Sequence, residues 1–301
     1  MSDGGAHPAS TQILLEHDTL VGLALRRFRR HRLAMLGLGI VGITVVLAVF
    51  APFLTTYSPE DLDLQSIRLP PGGPHLLGTD TLGFDVWSRV LFGSRTSLIV
   101  GFGAVSISLL IGVVLGVISG FYGGTIDQVI GRLVDTILSL PPLLLVIVFV
   151  SIVGPSLQSV VVVIALLTWP RIARLVRGQY LALRESEFVT AVRVVGVPDT
   201  AIMARHLLPN ILGPLSVAAT FYTAQAILLE AALSFLGLGV KPPTPSWGNM
   251  VNQAQNAATL QLLPWTWVPP AMAIALVVLA INFIGDGLRD AFDPRQNRKG
   301  D

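Results

Sequence analysis

The residues of this chain that could ligate a metal or relay a proton are few, and their spacing argues against both roles. The five histidines, His7, His17, His31, His75 and His206, are scattered, and no His-Glu-x-x-His brings two of them to one helix face. His75 lies in a Gly/Pro-rich stretch and reads as structural. There is no cysteine, which removes disulfides, thiolate catalysis and cysteine metal sites. Lysine occurs only at Lys241 and Lys299, and neither follows a glycine-rich loop. A phosphate-cradling Gly-x-x-x-x-Gly-Lys-Ser/Thr is therefore missing. No nucleophile–base pair is visible either. We expect no metal, cofactor or catalytic residue in this chain. Energy for any work it does must come from a partner or a gradient.

The composition points to lipid as the solvent. Of 301 residues 52% are hydrophobic and 13% charged, against about 25% charged in soluble domains. The net charge of +2 is small, and no charged tail suggests nucleic acid as a partner. Residues 1–32 precede the first apolar run, which is too long for a signal h-region, so it reads as an uncleaved anchor. A spanning helix needs roughly 20 mostly apolar residues. Cutting the chain at its charges predicts an all-α polytopic bundle of about six helices, near 33–56, 97–121, 128–151, 156–174, 210–235 and 266–287. Gly154-Pro155-Ser156 must turn the chain between the third and fourth.

Lys and Arg set the orientation. With the N-terminus in the cytoplasm, that side holds Arg26, Arg27, Arg29, Arg30, Arg32, Arg132, Arg171, Arg174, Arg177, Arg184, Arg193, Arg205, Arg289, Arg295, Arg298 and Lys299. The outside holds only Arg68, Arg89, Arg95 and Lys241. This is a clear positive-inside bias, and an even helix count returns the C-terminus to the cytoplasm. The expected organisation is a cytoplasmic segment 1–32, a membrane domain 33–288 and a cytoplasmic tail 289–301. Within the domain, loops 57–95 and 236–265 lie outside and loop 175–208 lies inside. Whether the outer loops carry helices is open.

The inner loop is the most informative stretch. Glu187, Phe188, Val189, Thr190, Ala191 and Val192 open an amphipathic helix, and Phe188, Val189, Val192 and Val195 can share one face. Gly196 suits a helix stop with positive φ. Asp199 suits the N-cap of a second short helix. Pro209, after His206 and Leu208, ends or kinks that helix. A helix–turn–helix with one apolar side can rest on lipid headgroups or enter a groove on a cytosolic protein. Both readings stand on these residues.

Three further features have two readings each. Gly112, Gly116 and Gly120 recur every fourth residue, so they either let another helix approach closely or line a pore. Pro141-Pro142, inside the third expected helix, frees the carbonyls of Ile137 and Leu138; neighbouring helices cover them or they face water. Glu230 lies 19 residues beyond Ile211. At about 1.5 Å per residue that is the outer edge of the hydrocarbon, where a functional carboxylate and a structural hydrogen bond are both reasonable.

The inner loop resembles the EAA loop of ABC importer permeases: Glu-Ala-Ala, three residues, Gly, nine residues, Ile, one residue, Leu-Pro. Thr190, Ala191 and Val192 stand at the Glu-Ala-Ala positions, Gly196 at the glycine, His206 at the isoleucine and Leu208-Pro209 at the end. Two of the three name-giving positions depart. The flanking Arg205-His206-Leu207-Leu208-Pro209-Asn210 is similar to the peptide-permease branch. So are three other stretches: His75 to Asp85; Glu230 to Gly239 with Pro242-Pro243 and Ser246-Trp247-Gly248; and Gly285 to Asp290 with Asp293-Pro294-Arg295. Together they run from about residue 25 to 296. The resemblance is to the C-type permease of dipeptide, oligopeptide and nickel importers.

That resemblance implies a type I ABC importer permease in the bacterial cytoplasmic membrane. Its inner loop would be a coupling helix carried by Glu187, Thr190, Ala191, Val192, Gly196, His206, Leu208 and Pro209. The implied partners are a homologous B-type permease, two ATPase subunits that bind ATP and Mg, and an extracytoplasmic binding protein. Peptide, nickel and glutathione importers share these signatures, so the ligand is open among them, with peptides expected. A secondary transporter would usually place ionisable residues or broken helices near the midplane in paired repeats. The spans here are nearly charge-free at their centres.

Overall fold

The computed structural model describes residues 20–292. Expectations that fall on His7, His17, residues 293–301 and most of segment 1–32 lie outside the described residues. The described chain is helical, without a named β-strand. An amphipathic α1 (Leu20–Arg30) turns at His31 into α2 (Arg32–Leu54). There follow α3 (Val86–Tyr122), α4 (Gly124–Leu138), α5 (Pro142–Val153), α6 (Leu157–Arg184) and α7 (Glu187–Val194). The short α8 (Asp199–Ala201), a π-helical turn (Ile202–Leu207) and α9 (Leu208–Phe235) form one 37-residue rod. Then come α10 (Trp247–Asn252), α11 (Ala257–Leu262) and α12 (Pro264–Phe292). Among the described residues five helices are long and apolar enough to cross a membrane, and α4 with α5, bent by 86° at the break between them, is long and apolar enough only as a pair.

The bend corrects the expected third helix. Pro141 is the N-cap of α5 and Pro142 its first residue, so Pro141-Pro142 starts a helix instead of interrupting one. Proline is pre-set for the first helical position, and the residue before a proline avoids the α region. No carbonyl pair at Ile137 and Leu138 is stranded inside a helix, because α4 ends there. At 12 residues α5 is roughly 18 Å long, short of a hydrocarbon core, and does not span one by itself.

Helices α3 and α6 also outrun their expected limits, where arginines near a helix end find acceptors. Helix α3 starts at Val86, inside the expected 57–95 loop, with the Asp85 side chain accepting from the Ser88 amide. Arg95 Nε donates to the Ala48 carbonyl, which Pro52 leaves without its helical donor, and Arg95 Nη2 reaches the Val49 carbonyl at 2.8 Å. Helix α6 continues ten residues past 174 to Arg184. Arg177 Nη2 donates to Asp127 Oδ2 at 2.7 Å, Arg174 pairs with Asp135, and Arg184 donates to the carbonyls ending α3. The first two of these tie α4 to α6.

The centre of the bundle is α3 against α6. A β-carbon added at Gly112, Gly116 or Gly120 would lie 2.7–2.8 Å from the carbonyls of Trp169, Ala173 and Arg177 and from the β-carbons of Ile172, Val176 and Tyr180. The four-residue glycine repeat therefore serves close packing, not a pore wall. The expected outer loop 236–265 does carry helices, α10 and α11, and α10 wedges between α3, α9 and α12.

Candidate functional site

Helix α7 and the turn after it sit beyond one end of the bundle, between the ends of α6 and the long rod. The turn is a Schellman motif. Gly196 N–H donates to the Arg193 carbonyl at 2.9 Å, and Val197 N–H donates to the Val192 carbonyl at 3.4 Å. Gly196 has φ of +85°, as its position required. Val192 and Val197, the pair that normally closes such a motif, both pack on the bundle.

The inward face of the loop is held firmly. Val189, Ile202 and Leu207 are buried against Phe121 of α3 and Ile172, Val176 and Tyr180 of α6. Arg193 stacks its guanidinium over Phe121 at 5.0 Å and faces Asp199 at 3.6 Å. Asp199 is not an N-cap: Pro198 holds that place and Asp199 is the first helical residue. Nor does Pro209 end the second helix. The helix widens into a π-turn, in which Leu208 N–H reaches back to the Met203 carbonyl, and runs through Pro209 into α9. A proline ring in a regular helix collides with the carbonyl four residues earlier; one wider turn relieves that. Tyr180 Oη donates to the same Met203 carbonyl at 2.9 Å, and Asn210 Nδ2 to the His206 carbonyl at 2.6 Å.

The outward face is bare and apolar. Val194 is 83% exposed, Val195 82% and Phe188 54%. With exposed Glu187 and Ala191 they follow the i, i+1, i+4, i+7, i+8 spacing of one helix face. The expected grouping of Phe188, Val189, Val192 and Val195 is thus split: the two valines nearest the bundle turn in, and Phe188 and Val195 turn out. Of the expected coupling residues, Glu187, Thr190, Ala191, Gly196 and Pro209 are exposed. Val192 and Leu208 are partly buried supports, and His206 meets the Phe188 ring edge-on at 5.6 Å. Phe188, Val194 and Val195 were outside the expected set. The signal for them was the seven-residue spacing from Phe188 to Val195.

The opposite end of the bundle is built from residues 55–85 and 236–263. Asp80 Oδ1 accepts from the amides of Leu82 and Phe84 at 2.8 and 3.0 Å, and Oδ2 accepts from Gln253 Nε2 at 2.7 Å. Trp265 Nε1 donates to the Thr79 carbonyl at 3.1 Å. His75 stacks on Tyr57 and lies 3.6 Å from Asp85, which caps α3. The stretch from His75 to Asp85 is therefore a structural knot.

Residues 112–298 match the binding-protein-dependent transport system inner membrane component family, and residues 19–71 match the N-terminal transmembrane domain of oligopeptide transport permease C. The chain belongs to this transport family. It is 47% identical over 269 residues, 89% of each chain, to a Brucella suis protein named as a peptide permease. It is 43% identical to the dipeptide transport system permease protein DppC of Alkalihalophilus pseudofirmus, over 90% of this chain and 89% of that one. A chain of the inward-facing MetNI methionine ABC transporter superposes with a TM-score of 0.55 at 22% identity, covering 68% of this chain and 96% of that chain. The last likeness is one of fold, that of a type I ABC importer permease. The protein is thus a multi-pass permease component of a binding-protein-dependent transporter.

Proposed function

We propose that this permease component moves di- or oligopeptides inward across the cytoplasmic membrane, with energy from separate ATPase subunits. The observation that carries the reading is the α7 loop. A partner-sized apolar stripe, Phe188, Ala191, Val194 and Val195, stands free on a helix whose other face is packed on the bundle. Apolar residues this exposed beyond the spans mark a partner surface, and an amphipathic helix fits a groove on a cytosolic protein. Two ATPase subunits, which bind ATP and Mg, take this loop and its equivalent on a homologous B-type permease. An extracytoplasmic binding protein delivers ligand at the opposite end. The positive-inside bias supports cytoplasmic termini, with loops 57–95 and 236–265 outside. The peptide assignment is supported by the names of the Brucella suis and Alkalihalophilus pseudofirmus relatives.

The test is co-purification. The four-subunit complex is isolated through a tag on this chain, with Ala191 intact or as Ala191→Asp. A buried charge without a partner costs several kcal/mol, so ATPase recovery should fall by roughly tenfold or more while membrane insertion is unchanged. Equal recovery from both would remove α7 as the docking element.

A further inference from the structure

Glu230 lies near the far end of α9, and its side chain is wholly buried. It is the terminal acceptor of two hydrogen-bond chains that begin on the first turn of α10. In one, the Trp247 amide donates to Ser97 Oγ at 3.4 Å and Ser97 Oγ donates to Glu230 Oε2 at 3.1 Å. In the other, the Asn249 amide donates to Ser246 Oγ at 3.2 Å, Ser246 Oγ to Ser234 Oγ at 3.4 Å, and Ser234 Oγ to Glu230 Oε1 at 2.7 Å. Ser97, Ser234, Ser246 and Trp247 are all buried. A hydroxyl has one proton to give. Because both serines spend theirs on the carboxyl group, their lone pairs are left to receive α10. The direction of every bond is thereby set by Glu230.

The same α9 belongs to the unbroken rod that starts at Asp199, directly after the α7 turn. At 1.5 Å per residue its 37 residues reach roughly 55 Å. One element thus carries the α7 loop at one end and the Glu230 chains at the other.

We propose that Glu230 is a positioning residue for transport: it fastens α10 to α9, so that the outer cap and the coupling loop move as one body. The proposal rests on the importer reading for its link to ATP hydrolysis, but not for the fastening itself. The π-turn, Pro209 and Pro214 all lie near the α7 end of the rod, and α9 is regular α-helix beyond them, so displacement of that stretch is delivered along its axis to whatever is fixed at its far end. Without the carboxyl group, Ser97 and Ser234 lose the acceptor that fixes the direction of their protons, so both chains lose their anchor on α9 at once, and the Asn252 side chain on the Phe235 carbonyl remains as a direct bond between the two helices. Glutamine keeps one chain whole: its carbonyl accepts from one serine, while its amide must donate to the other.

Two measurements test this. The first is hydrogen exchange over residues 246–252 in the purified chain. Exchange should quicken by roughly tenfold in Glu230→Leu, the scale for a buried hydrogen-bonding group that loses its partner, and by less in Glu230→Gln. Equal protection in Glu230→Leu and wild type overturns the fastening, whatever the protein transports. The second uses proteoliposomes with both permeases and both ATPases, and the binding protein added as purified from cells. The ratio of stimulated to basal ATP hydrolysis should collapse in Glu230→Leu and be largely kept in Glu230→Gln. A Glu230→Gln complex as unresponsive as Glu230→Leu overturns the hydrogen-bond mechanism. If Glu230→Leu fails to assemble, Ser234→Cys with Ser246→Cys replaces it on this cysteine-free background. The reduced pair should respond weakly, and the disulfide should restore the response by holding α10 on α9. A disulfide that abolishes the response would show that α10 must leave α9, and would overturn the one-body proposal. Failure of the importer reading looks different: no ATPase would accompany the wild-type chain.

Discussion

The two ends of this permease are fixed by different means. At the α7 end, a backbone motif around Gly196 aims a helix whose outward face has nothing on it. At the cap end, two buried carboxyl groups are consumed: Asp80 takes three donors and Glu230 takes two. On the proposed reading of α7 as a docking element, it keeps its apolar groups outside and borrows rigidity from its turn and its inner face. A surface that must keep its own shape spends its polar groups inward. The first kind is sensitive to one backbone torsion, and the second to the loss of any acceptor.

The largest effect should come from Gly196→Val. Its φ of +85° costs a β-branched residue about 1–2 kcal/mol or more. No neighbouring atom lies near an added β-carbon, so the penalty is torsional and not steric crowding. The chain can shed it by re-aiming α7, which spoils docking but leaves the spans untouched. ATPase recovery and transport should both drop by roughly tenfold, while the unfolding temperature in detergent barely moves. Normal recovery with a bound ATPase would erase the contrast between the two ends.

Asp80→Ala should do the reverse. Removing one acceptor strands the Gln253 amide and two backbone amides in the cap, at about 1–3 kcal/mol. The apparent unfolding temperature should fall by a few degrees, with ATPase recovery unchanged. A loss of ATPase recovery as large as that of Gly196→Val would mean the ends are not separable.

Much of this was legible before the fold was known. The five long spans, the glycine stripe and Gly196 follow from rules that act within a few residues. What escaped depends on partners far along the chain. Arg89 and Arg95 looked like the edge of a loop, because nothing local says that Arg95 will meet the carbonyl freed by Pro52. Arg174 and Arg177 likewise seemed to end a span that their carboxylate partners on α4 allow to continue. Pro209 read as a stop or a kink, and the helix running on through it was not foreseen because a π-turn has no composition of its own. The pairing of Phe188 with Val195 was visible, but which side of α7 would meet the bundle was decided by Phe121, Ile172 and Tyr180.

A smaller effect sharpens the view of the loop end. Arg193 holds α7 to the bundle through Phe121 and to the next helix through Asp199. Arg193 and Asp199 are each about half exposed, so Arg193→Ala should cost about 0.5–1 kcal/mol. ATPase recovery should therefore fall only a fewfold. A loss equal to that of Gly196→Val would make Arg193, and not the turn, the element that aims α7.

The smallest effect lies in the cap. Arg68 is the non-glycine residue with positive φ among the described residues, at 58°. Its amide donates to the Asp80 carbonyl at 3.0 Å, and its side chain is exposed. The backbone bond, which any residue can make, is therefore what holds it there. Glycine relieves the left-handed strain of about 1–2 kcal/mol but adds about 0.4–1 kcal/mol of freedom to the unfolded chain. The two terms oppose, so Arg68→Gly should leave the unfolding temperature level or slightly raised, with ATPase recovery and transport unchanged. Arg68→Ala, which keeps the strain and loses only the exposed side chain, should match wild type in recovery. If either variant lowers transport while stability holds, the Arg68 side chain meets a partner, and the cap is a docking face as well as a closed structure.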